Sequence, residues 1–152
     1  MSEGETLVAL SNLLDRRRTR APSRAGLRVL LVDDNDVFLA AATAFLDELP
    51  GIGGVELACS GAEAIAFAAH YAPDLVLMDH HMPSATGIEA MRAIKSRPPA
   101  PRVVIMTVDA APLLAPAALA AGADGFVAKE EFFERVPAVI ERLFGAPRGR
   151  MR

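Results

Sequence analysis

Three carboxylates, one hydroxyl and one ammonium stand in this chain where short apolar runs stop. Asp33 and Asp34 follow the run ending at Val32, Asp79 follows Leu75 to Met78, Thr107 follows Val103 to Met106, and Lys129 follows Gly125 to Ala128. Brought together, three carboxylates repel, and one takes up a proton unless positive charge compensates. Mg2+ suits that role, since it takes oxygen ligands octahedrally and keeps waters that phosphate oxygens can replace. Lys129 adds a point charge able to bridge to a carboxylate or a phosphoryl oxygen, and Thr107 can donate a hydrogen bond to such an oxygen. With the charge balanced, an ionised Asp79 can attack a phosphoryl group and form an aspartyl phosphate. Metal and lysine would then neutralise charge in the transition state. Taken singly, each residue has an ordinary explanation: an Asp-Asp pair after a strand is usually a turn or a helix cap. The joint placement of all five carries the chemical reading.

Asp79 also opens the triplet Asp79-His80-His81. Three such residues could hold a metal, or the aspartate could be a nucleophile beside two loop histidines. The same triplet is the signature of a phosphoesterase family built on clustered Asp and His. That family needs further Asp and His motifs, and the remaining histidine, His70, lies in a helix-like stretch.

The elements that must position these groups follow from periodicity. Arg28 to Val32 is a strand. Asp36 to Leu49 has an apolar stripe at 38, 42, 45 and 49 and forms a helix, broken by Pro50, Gly51, Gly53 and Gly54. Val55 to Ala58 is a second strand. Ser60 and Glu63 have capping-box spacing and open a helix reaching about His70. Asp74 to Met78 is the third strand and Gly87 to Ser96 the third helix. Arg102 to Met106 is the fourth strand, Ala117 to Ala121 the fourth helix and Gly125 to Ala128 the fifth strand. A last helix ends near Phe144. Pro137 is costly inside a helix, about 3 kcal/mol, so that helix is expected to begin near Glu134. Pro112 and Pro116 predict a short or irregular fourth helix: either Pro116 is its first residue, or the segment after Thr107 forms a separate turn. Five apolar strands alternating with five helices predict an α/β, doubly wound five-stranded parallel sheet flanked by helices. In such folds the strands' C-terminal ends converge on one edge, where functional groups sit.

Composition narrows the class. The chain has 152 residues, 52% of them apolar and 23% charged, which suits a single domain with a packed core. A net charge of −3 gives no global basic field, so direct nucleic-acid binding is not expected. No apolar stretch is long enough to cross a membrane, and the acidic N-terminus is unlike a secretory signal. A lone Cys59 excludes an internal disulfide, so the chain is placed in the cytoplasm with Cys59 as a small buried thiol. Residues 1–27 stand apart. Leu7, Leu10 and Leu14 recur at helical spacing, and Arg16-Arg17-Arg18, Arg20 and Arg24 follow in a basic linker. This extension is either a frayed tail or a docking or dimerisation helix. Residues 28–145 form the domain and 146–152 a tail.

The stretches LLVDDN (from Leu30), DLVLMDHHMPSATGIE (from Asp74), VVIMT (from Val103) and AGADGFVAK (from Ala121) together resemble the receiver domains of two-component response regulators, over about Arg28 to Leu143. The resemblance implies a flavodoxin-like receiver fold with strand order 2-1-3-4-5 and a Mg2+ cofactor. Asp79 would be both the phosphoacceptor and a metal ligand, Asp34 a direct metal ligand, Asp33 one acting through water, and His81 a ligand through its backbone carbonyl. Lys129 would contact the phosphoryl group, while Thr107 and Phe126 would form the switch pair. The implied donor is a sensor histidine kinase or a phosphotransfer protein, and the only catalysis is self-phosphorylation and slow dephosphorylation. The expected readout is binding of a downstream protein or a homodimer contact. Val108 is bulkier than the residue usual after the switch threonine, and His81 and Asp109 flank the phosphoryl site, so all three are expected to tune its lifetime. Glu130 follows Lys129 where many members have proline; a trans peptide is the default expectation for a non-proline, with cis the alternative that the family's loop shape would impose. Alternatives are the receiver fragment of a helix-turn-helix regulator and a receiver-shaped docking module that never uses phosphate.

Overall fold

The computed structural model describes residues 26–83, 85–108 and 113–146. Strands β1 (Leu27–Val32), β2 (Ile52–Ala58), β3 (Leu75–Asp79), β4 (Arg102–Thr107) and β5 (Gly125–Ala128) form one parallel sheet in the order β2-β1-β3-β4-β5. Helices α1 (Asp36–Glu48), α2 (Gly61–Tyr71), α3 (Gly87–Lys95), α4 (Leu114–Ala120) and α5 (Phe132–Phe144) alternate with them. The predicted fold class and strand order are what the chain adopts.

Alternating strand residues build two cores. Val29 and Leu31 face α1 and α5 in a cluster with Leu39, Leu46, Leu77, Met106 and Phe132, all buried. Leu30 and Val32 face the other layer with Met78, Met91, Ile94, Ile105 and Ala118. Both faces of the sheet are therefore dry, which is why the strand sequences are continuous apolar runs. No helix among the described residues is long and apolar enough to cross a membrane.

Three expectations need correction. First, β2 begins at Ile52 rather than Val55 and runs through Gly53 and Gly54. Here glycine permits close approach rather than breaking the strand: a Cβ on Gly26 would lie 2.4 Å from the Gly53 nitrogen. Second, α5 begins at Phe132, after a 3-10 turn at Lys129–Glu131, so Pro137 lies inside it. Burial of Phe132, whose ring meets Phe38, Phe45 and Phe133 edge-on, offsets the missing hydrogen bond. Third, Ser60 accepts from the Glu63 amide as expected, but the Glu63 carboxylate accepts from the amide of Cys59, not of Ser60. The complete capping box is at Thr86 and Glu89, opening α3.

The fourth helix is short, seven residues, as expected, but it begins at Leu114 rather than at Pro116 or Ala117. Pro116 is its third residue and precedes the first internal hydrogen bond, Ala117 N–H to Leu113 O at 3.2 Å, so no donor is missed. Pro112, Asp109 and the N-terminal leucine and arginine segment lie outside the described residues. The Lys129–Glu130 peptide is trans, and the one cis bond among the described residues joins Pro98 to Pro99.

Candidate functional site

Sheet register brings the five groups together. Val32 pairs with Met78, so Asp33 and Asp79 emerge side by side at the same edge. Asp79 pairs with Met106, and Thr107 pairs with Ala128, so Lys129 leaves β5 beside the end of β4. Asp33, Asp79 and Thr107 are buried, while Asp34 is exposed at the rim. Neither acid caps α1 with its side chain. Asn35 does, accepting from Phe38 N–H at 3.0 Å, and Asp33 Oδ1 accepts from the Asn35 amide at 2.9 Å.

Three carboxylates, those of Asp33, Asp34 and Asp79, offer oxygens all within 4.8 Å of one another. Lys129 Nζ lies 2.6 Å from Asp33 Oδ2 and 4.0 Å from Asp79 Oδ2. Asp33 Oδ2 is buried with no directional hydrogen bond, and this ammonium is its counter-charge. One cation for three acids leaves the site short of positive charge. Burial first, and then the Asp33 charge, push the Asp79 carboxyl from 3.8 up to about 6, against the opposing pull of Lys129 and the His81 amide. That amide donates to Asp79 Oδ1 at 3.3 Å. Three clustered hard oxygen donors and an excess of negative charge that one ammonium does not balance together fit a divalent cation such as Mg2+.

The histidines do not join the carboxylates as side-chain ligands. Asp33, Asp34 and Asp79 form the candidate metal cluster among the described residues, with no imidazole in it. The His80 and His81 rings contact each other edge-on at 5.0 Å, and burial, then His81, lowers the His80 pKa. Phe126 is half-buried on β5 against the second core, and Val108 is exposed just past β4. Cys59 is half-buried and bonded through sulfur to Glu63 at 3.2 Å; burial pushes its thiol up to about 11, so it is an unreactive thiol.

Two contributors were not legible in the residue pattern. Phe38 belongs to the helical stripe of α1, yet its ring lies under Lys129, with the ammonium 4.5 Å from the centroid. Gly87 begins α3 against the end of β3: a Cβ there would come 2.6 Å from the Asp79 carbonyl oxygen and 2.9 Å from the His80 Cα. The Gly87 amide donates to His80 O at 3.0 Å and fixes the loop that carries the two histidines. A glycine at the first position of a helix already closed by a Thr86 and Glu89 box was the available signal, since the box makes the helix's own caps complete without it.

A family model for the response regulator receiver domain matches residues 29–141. Response regulator GacA of Pseudomonas aeruginosa is 32% identical over 122 residues, which is 80% of this chain and 57% of that protein. A protein-glutamate methylesterase/protein-glutamine glutaminase of Methanospirillum hungatei is 39% identical over 83 residues, 55% of this chain and 24% of that protein. The chain thus spans under two thirds of the length of these curated relatives. Among solved structures, a LuxR-family two-component response regulator from Aurantimonas superposes with a TM-score of 0.74 at 31% identity, covering 81% of this chain and 88% of that one.

Proposed function

Since the chain belongs to the family of response regulator receiver domains, we propose that it is a phosphorelay signalling module whose acceptor is Asp79. The observation that carries this reading is the packing of three carboxylates within 4.8 Å around a nearly buried Asp79, with Lys129 reaching both Asp33 and Asp79. An Asp79 carboxylate oxygen bonds to phosphorus while the phosphorus–nitrogen bond of a donor phosphohistidine breaks. The imidazole leaves with the electron pair and is protonated. Asp33, Asp34, Asp79 and the His81 carbonyl are the residues that would hold Mg2+, which when bound supplies positive charge to the acids and the phosphoryl oxygens. Lys129 holds Asp33 and turns toward the incoming phosphoryl group. The His81 amide steadies the Asp79 carboxylate.

The product carries roughly −1.5 to −2 charges and three acceptor oxygens where one carboxylate stood. Thr107, buried at the end of β4, donates to it, and Phe126 turns inward to fill the space vacated. The face of α4, β5 and α5 reports the change to a downstream protein or to a second copy. Val108, His81 and Asp109 set how long the phosphoryl group survives. A sensor histidine kinase or a phosphotransfer protein is the donor, and catalysis extends only to the domain's own acyl phosphate.

The test is intact-mass labelling by a small acyl phosphate. The wild type gains one phosphoryl group with Mg2+ and none in EDTA, and Asp79→Asn gains none. Labelling of Asp79→Asn, or labelling without metal, overturns the assignment. Partner binding that ignores the phosphodonor would favour a phosphate-independent docking module.

A further inference from the structure

At the opposite edge of the sheet from Asp79 lies an open groove of about 550 Å³, between the end of α1, the start of β2 and the outer side of α5. Its floor and walls are apolar, from Leu27, Leu49, Ile52 and Phe144 together with the smaller Pro137 and Ala138. Pro137 and Ala138 fall on the same stripe of α5 as Glu134 and Glu141, two turns apart, and a larger side chain at either small position would close the space. Both carboxylates line the groove and are exposed. Among the described residues neither has an ion-pair partner. A cleft of this size is within the range that takes a ligand or a peptide anchor, and the proposed signalling site makes no use of it.

The chain itself supplies a matching occupant. Gly26, the first described residue, is part of the groove wall. The 25 residues before it carry Leu7, Leu10, Leu13 and Leu14, and then Arg16, Arg17, Arg18, Arg20 and Arg24. Apolar side chains match the apolar floor, and the arginines match the two acids at its rim. Reach is not limiting: about a dozen residues separate Leu14 from Gly26, enough to span on the order of 40 Å when extended. A tether this short holds the leucines near the groove at millimolar effective concentration, so each contact can be weak and the site still filled.

We propose that residues 7–24 dock into this groove in cis, with the leucines on Leu49, Ile52, Ala138 and Phe144 and the arginines against Glu134 and Glu141. The leucine positions precede Leu27, where the first described strand begins, and a far-ultraviolet circular dichroism spectrum of the variant that matches the wild type shows that the fold is kept. The test compares amide NMR spectra and hydrogen exchange of the full chain with those of a Leu7→Ser/Leu10→Ser/Leu14→Ser variant. Expected are resonance shifts at Gly51, Ile52, Ala138 and Phe144, unchanged resonances around Asp79, and about tenfold faster exchange of the Leu27 and Ile52 amides. Ala138→Trp, which fills the groove, produces the same loss of protection, and combining the two variants adds nothing. Groove resonances that superimpose between wild type and the leucine variant overturn the proposal. So does a wild-type protection that disappears on dilution along with a dimeric mass, because the segment would then be filling a second copy's groove.

Discussion

Asp79 should make the metal-free domain less stable than it could be, and removing its charge should show this. The carboxyl is 3% exposed and lies at about 6 rather than 3.8. The folded state therefore holds this proton more tightly than the unfolded chain does. The associated stability is fully present below pH 3.8 and is lost as the pH rises through about 6. A difference of about 2 units corresponds to about 3 kcal/mol of destabilisation from the ionised group at pH 7.5. Asp79→Asn keeps the size of the side chain and an oxygen that can accept from the His81 amide, exchanges the other oxygen for an NH2 donor, and removes the charge. In EDTA the variant should match the wild type near pH 4 and exceed it by about 3 kcal/mol at pH 7.5.

Urea unfolding followed by circular dichroism at a series of pH values measures this directly. With a slope near 2 kcal/mol per molar, the variant's midpoint at pH 7.5 should lie on the order of 1.5 M above that of the wild type. Mg2+ added at pH 7.5 should stabilise the wild type more than the variant and close most of the gap, since the cation binds the folded cluster and supplies the missing charge. Two proteins tracking one pH curve in EDTA would refute the reasoning, because the cost assigned to the crowded acids would then be absent.

Gly87→Ala should cost about 2 kcal/mol and lower Asp79 labelling, because the added methyl meets the backbone of Asp79 and His80 rather than a yielding side chain; unchanged thermal unfolding and labelling would mean that the β3 end gives way freely. Phe38→Leu should slow labelling several-fold and cost about 1–2 kcal/mol, by loss of the ring under Lys129 and of its edge contact with Phe132, while Phe38→Tyr restores both; phosphodonor kinetics at wild-type rate for the leucine variant would dismiss the ring's role. At Asp124, burial alone would raise the carboxyl, but Lys95 at 2.7 Å, the Val103 amide at 2.8 Å and Arg102 at 3.2 Å outweigh it and hold it below 3.8. A lowered carboxyl stabilises above its unfolded pKa and loses that contribution as the pH falls, so Asp124→Asn should be less stable by about 2 kcal/mol at pH 7 and converge with the wild type on acidification below about 4; a deficit independent of pH would assign the effect to packing.

Legibility differed by the range of the interaction. The site's carboxylates, threonine and lysine could be placed because in a parallel sheet an apolar run that stops marks a strand end, and such ends share an edge. That inference needs only the order of the elements, and the pairing of Val32 with Met78 and of Thr107 with Ala128 realises it. Features depending on contacts between distant backbone segments were not accessible in this way. Gly53 and Gly54 carry turn chemistry, and only the approach of Gly26 makes them strand. Pro137 argues locally for a later helix start, and the burial of Phe132 among three rings overrides it. Phe38 gave a core signal because helical periodicity reports which side of α1 faces inward, not which end of the neighbouring strand lies there.

The same crowding that fixes the site also explains why it is built on two kinds of support. The strands can hold Asp33 and Asp79 adjacent at a cost because each lies at the end of a fully buried run, where register admits no slippage without turning apolar side chains outward. Lys129 is held differently. It stands on a 3-10 turn rather than in the ladder, and its position is set by Asp33 on one side and the Phe38 ring on the other. An ammonium on a four-carbon stem can swing from Asp33 toward Asp79 by bond rotation, whereas the carboxylates cannot separate without breaking the sheet. The rigid partners therefore carry the electrostatic stress, and the adjustable one is free to follow the charge when an added group changes it, as the proposed phosphorylation of Asp79 would.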